Sequence, residues 1–108
     1  MYLILSHIIS NPQLENDMSD RFVCVIYYKE RKDIDVLKNG MDPLEVWRIL
    51  GYHAYDEHVV PVIVNRLIAN NLRRGFIAFN PTNKWVSLTV IGRQWAEGVC
   101  PKFAGVIS

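Results

Sequence analysis

Apolar residues recur at helical spacing through the middle of the chain and change to short β-type runs after residue 75. From Val60 onward, Ile63, Val64, Leu67, Ile68 and Leu72 stand three and four residues apart, the spacing that gathers side chains on one face of a helix. Asn71 falls on that same side and breaks the purity of the stripe in its last turn. Pro61 lacks the amide an interior helical residue donates, so the regular helix is predicted to begin at about Pro61 or to kink there. Arg73 and Arg74 in its last turn suit the negative end of the helix dipole, and Gly75 terminates it. A shorter helix is predicted ahead of it from Asp42-Pro43, with Asp at the cap, Pro at the first helical position and Glu45 in the first turn. Its Val46, Trp47 and Leu50 share a face, Leu44 and Ile49 widen the apolar surface, and Gly51 suits its end.

The flanking segments are read the same way. Residues 76–80 and 84–89 are two short strands around Pro81-Thr82-Asn83, a hairpin. Thr89 caps a last helix, VIGRQWAEG, with Ile91 and Trp95 inward and Gly98 at its end; residues 99–108 form an irregular tail. The start of the chain is less regular. Residues 1–9 are apolar and fit a short helix or a buried strand, and the polar residues 10–20 read as a loop. Residues 22–28 are β-branched and aromatic, which favours a strand. Yet Val23, Ile26, Tyr27, Ile34 and Leu37 lie on one helical stripe that outlasts the apolar run, so residues 21–38 are read as helix, ended by Asn39-Gly40.

Composition narrows the class. A chain of 108 residues, 50% apolar and 21% charged, is expected to form one globular domain, and such a balance excludes a disordered or low-complexity chain. The longest apolar runs, Met1–Leu5 and Phe22–Tyr28, fall far short of the roughly 20 residues of a membrane helix. No Lys or Arg precedes the apolar start, which argues against a secretory signal, so a cytoplasmic protein is expected. Cys24 and Cys100 are expected to be reduced thiols, because neither a disulfide framework nor a CxxC site is present. The net charge of +1 conceals a division: residues 1–58 hold six bases and ten acids, residues 59–108 six bases and one acid. A basic half of this kind either turns one surface toward a polyanion or reflects solvated charges that fell unevenly.

From Asp42 the predicted order is helix, turn, helix, hairpin, helix. This resembles a winged helix-turn-helix domain, most nearly the MarR and PadR type of regulator. Residues 64–77 (VNRLIANNLRRGFI) resemble the recognition helix running into the first wing strand, and residues 85–93 (WVSLTVIGR) resemble the second wing strand and the start of the closing helix. The resemblance covers residues 42–98. It implies a mainly helical α+β fold with a two-stranded wing, a recognition helix at about 61–74 in the major groove of double-stranded DNA and the wing 76–89 on its backbone. Opposite the core stripe lie Val62, Asn65, Arg66, Ala69 and Arg73, with Asn70 at the edge. Asn65 and Arg66, with Asn70, are the candidate base readers, since Asn pairs with adenine and Arg with guanine. Arg73, Arg74, Asn83 and Lys84 are the candidate phosphate contacts. The chain departs from the family in Asp56 and Glu57, which repel phosphates, in Val62 and Ala69, where polar readers are usual, and in Val90 and Ile91, where acids usually follow the capping threonine.

Residues 1–40 are expected to complete the core and supply a homodimer interface, residues 41–98 the winged-helix domain. The cluster His53, Asp56, Glu57 and His58 lacks the spacing of a helical metal pair and reads as an exposed turn, and no metal or cofactor is implied. No nucleophile elbow, phosphate loop or dinucleotide fingerprint is present, so an enzyme is not expected. Two functions remain: a small DNA-binding transcriptional regulator, or a winged-helix module that docks proteins instead.

Overall fold

The computed structural model describes residues 12–51 and 57–103. The described chain is α+β and mostly helical, with one two-stranded antiparallel hairpin. In order it forms α1 (Pro12–Lys32), α2 (Ile34–Asn39), α3 (Pro43–Leu50), α4 (Val60–Arg73), β1 (Ile77–Phe79), β2 (Val86–Leu88), α5 (Val90–Val99) and a 3-10 turn (Cys100–Phe103).

The first third departs most from expectation. Residues 12–20, read as a loop, are the opening turns of α1. Pro12 is tolerated because a helix's first amides need no intrahelical partner. The buried Met18 and Ser19 then continue at helical spacing into Phe22 and Val23. Phe22 through Tyr27 are all buried, on every side of the helix. A helix surrounded by packing partners is apolar all round, which is why this run mimics a strand. Indeed α1 packs against α2, α3, α4, α5 and β2. It is the axis on which the core is built.

Two glycines fix how the remaining elements meet. Gly40 has φ 80°, and a Cβ there would stand 2.4 Å from the carbonyl oxygen of Val86. That approach lets Met41 form an isolated bridge with Val86, donating at 2.9 Å and accepting at 3.0 Å. Gly92 in α5 sits against the Phe76 backbone, where a Cβ would lie 2.0 Å from the carbonyl oxygen. The predicted caps are present: Asp42 accepts from the Leu44 amide and Thr89 from the Gly92 amide. Helix α4 begins at Val60 with Pro61 in its first turn. Ile77 pairs with Leu88 and Phe79 with Val86.

Three local expectations are corrected. Leu72 is exposed and Asn71 is fully buried in its place. The Asn71 side-chain Nδ2 donates to the Ser19 carbonyl and its backbone carbonyl accepts from the Phe76 amide, so the interior position joins α1 to α4 and to the chain entering β1. Ile91 is exposed, and Gly92 and Ala96 face inward, because the approach to Phe76 sets the rotation of α5. The cysteines are not free thiols: Cys24 and Cys100 form a disulfide between the middle of α1 and the 3-10 turn that follows α5, with Cα atoms 5.3 Å apart. Their separation of 76 residues hid a proximity that only the packing of α1 creates.

Candidate nucleic-acid interface

Helix α4 turns Ile63, Val64, Leu67 and Ile68 into the core and leaves Val62, Asn65, Ala69, Leu72 and Arg73 outward. Its two flanks differ. On one side it meets the hairpin and the start of α3, forming a groove of about 290 Å³ that Asn65 and Lys84 share with Leu44 and Phe79. On the other it meets the opening of α1. There a cleft of about 240 Å³ is lined by Glu15, Asn16, Arg66, Ala69, Asn70 and Arg73.

The seven sequence-selected residues therefore divide. Asn65 and Lys84 come together across the hairpin groove. Asn83 is exposed at the hairpin tip, where its Oδ1 accepts from the Trp85 amide. Lys84 beside it has φ 66°, an unusual conformation for a residue with a side chain. Arg73 is exposed, and its Nη2 donates to Asn70 Oδ1 at 2.6 Å. Asn70 itself is buried rather than at the edge of the outward face. Its Nδ2 donates to Ser19 Oγ at 2.7 Å, so its amide is committed to the α1–α4 contact and is withdrawn from the candidate base readers.

The two other arginines are paired. Arg66 Nη2 donates to Glu15 Oε2 at 2.8 Å. Arg74 Nη2 donates to Asp20 Oδ1 at 2.7 Å, and its guanidinium lies over the stacked rings of Phe76 and Trp95. Stacking and an ion pair together hold Arg74 against the protein. A third tie lies further along α1. Arg93 reaches the buried Glu30 with both ends of its fork, Nε at 2.6 Å and Nη2 at 3.1 Å. The hydrogen bonds that Arg93 donates to Glu30 raise its pKa above the ordinary value, against the desolvation that opposes them.

Charge counting includes these acids but not their pairing, and the reading of residues 10–20 as a loop hid Glu15 and Asp20 from α4. Once α1 is extended to Pro12, Glu15, Asp20 and Glu30 lie along one helix that touches the basic half. Three of that half's six bases, Arg66, Arg74 and Arg93, are bound to acids of the other half. Trp85, just before β2, is exposed. His53 and Asp56 lie outside the described residues; Glu57 and His58 are exposed. Among the described residues no group of three His, Cys, Asp or Glu is placed to hold a metal, and no helix is long and apolar enough to cross a membrane.

No family model matches the chain, and no curated protein or solved structure matches it.

Proposed function

We propose that the chain is a winged-helix protein that binds double-stranded DNA as a homodimer, with α4 in the major groove and the β1–β2 hairpin on the backbone. The observation that carries this reading is the shared placement of Asn65 and Lys84 beside an outward α4 face that ends in Arg73. A helix presenting one outward face beside a hairpin fits a groove flanked by phosphates. The contribution of bases is small, because Val62, Ala69 and Leu72 occupy most of that face and Asn70 is withdrawn. Binding is thus dominated by phosphate contacts from Arg73 and Lys84, with Asn65 the single candidate reader at the centre. A regulatory role in transcription follows from such binding when two copies meet a repeated site.

The test is titration of the full chain with mixed-sequence duplex between low and moderate salt. Neutralising two phosphates per copy gives log K a slope against log salt of about −2 per copy. Combined Arg73→Ala and Lys84→Ala is expected to flatten that slope and abolish retention. Sedimentation with duplex present checks for two copies.

A second reading has its own support. Leu44 and Phe79 are exposed and line the hairpin groove, and Val62 and Leu72 are exposed on α4, a composition suited to a protein partner. Absence of duplex binding at low salt favours that alternative.

A further inference from the structure

Arg66 presents an incomplete contact. Its Nη2 is bound to Glu15, but its Nε is buried and has no acceptor among the described residues. A guanidinium fork is satisfied by two oxygens of one planar or tetrahedral anion, and the single bond to Glu15 uses half of it. The same cleft is lined by Arg73, whose recorded partner is the neutral Asn70 carbonyl, and by the exposed Asn16. Two guanidiniums and one carboxylate therefore border a cleft of about 240 Å³ at the edge of the outward face of α4. Glu15 and Arg66 are both partly accessible, their side chains 14% and 37% exposed, so the pair can exchange with a solvent-borne anion. Arg74 differs: its guanidinium is held by two aromatic rings as well as by Asp20.

We propose that this cleft is a phosphodiester subsite and that Glu15 is an internal stand-in for the phosphate. In the free protein the Glu15 carboxylate holds Arg66. When duplex docks, a backbone phosphate displaces Glu15, takes both ends of the Arg66 fork and accepts from Arg73. Glu15 thereby sets the affinity of the site from within α1. The inference rests on the DNA reading above and names the regulation of that same site.

Glu15→Gln removes the competing charge while keeping the side chain's length. Duplex affinity is measured for the wild type, Glu15→Gln, Glu15→Gln with Arg66→Ala, and Asp35→Asn as a distant charge control on α2, with thermal melts confirming that each folds. The expected result is an approximately tenfold gain for Glu15→Gln, because no carboxylate then competes for Arg66, with the salt slope steeper by about one because no displaced carboxylate takes up a counterion. The gain is expected to vanish on adding Arg66→Ala and to be absent in Asp35→Asn. Equal affinities for Glu15→Gln and wild type, with binding still dependent on Arg73 and Lys84, overturn the stand-in and leave the DNA reading intact. An equal gain from Asp35→Asn also overturns it, since net charge then accounts for the effect. Failure of every variant to bind duplex overturns both.

Discussion

The two flanks of α4 carry cations of the same kind and put them to different uses. Toward α1, Arg66 and Arg74 meet Glu15 and Asp20, and beyond them Arg93 meets Glu30. Toward the hairpin, Asn65 and Lys84 border a largely apolar groove, with no ion pair recorded for Lys84 among the described residues. Much of the charge division between the halves is thus internal complementarity, in which an acidic helix is matched to a basic remainder. In the free protein only the surplus is left unpaired. A summed charge cannot separate the two roles, because the pairing depends on which acids one helix brings to which arginines.

If the α1 side is structural, cutting its ties destabilises the fold and cutting those on the hairpin side does not. The largest effect is expected at Cys24–Cys100, which closes a loop of 76 residues. Loop-closure entropy for such a span amounts to about 4 kcal/mol. Denaturant unfolding with and without reductant is expected to show a loss of that order. Alkylation of the unreduced, unfolded chain is expected to find no free thiol. Free thiols there would refute the link itself.

Next comes Arg93→Ala. It strands the Glu30 carboxylate, whose side chain is only 4% exposed, and removing one partner of a buried pair costs about 3 kcal/mol. Adding Glu30→Met is expected to recover most of the loss, because the unpaired charge is then gone and the space is filled. A single Arg93→Ala that melts like the wild type would show that α1 and α5 do not depend on this tie.

How much of this was legible along the chain depended on whether the cause was local. Asp42-Pro43, Pro61, Gly75 and Thr89 act on their own neighbours, and α3, α4 and α5 begin or end where those residues say. The hairpin is likewise read from its turn residues. Helix α1 was obscured because its burial on all sides erases periodicity, and its polar opening resembles a loop until Glu15 and Asp20 are seen to have partners. The buried Asn71 and the exposed Leu72 exchange places for a tertiary reason, the bond to Ser19. At the candidate interface, Asn65 and Lys84, expected from the sequence as a base reader and a phosphate contact, both line the groove between α4 and the hairpin. The commitments of Arg66, Asn70 and Arg74 all come from α1, 51 or more residues away in sequence, and no local pattern reports them.

The smallest change sharpens the comparison most, because stability and binding are expected to move in opposite directions. Lys84 holds φ 66°, a conformation that costs a residue with a Cβ about 1–2 kcal/mol and costs glycine almost nothing. Lys84→Gly relieves that strain, and the greater flexibility of glycine in the unfolded chain takes back about half of the gain. The net expectation is a stabilisation of about 0.5 kcal/mol, read as a rise in Tm of a few degrees. Yet the substitution removes the hairpin's cation, so duplex affinity is expected to fall several-fold and the salt slope to flatten by about one. Lys84→Gly that raises Tm and leaves duplex binding untouched would deprive the hairpin flank of its role, and the outward face of α4 with Val62 and Leu72, together with Phe79 of β1, would then have to be read as a protein-docking surface.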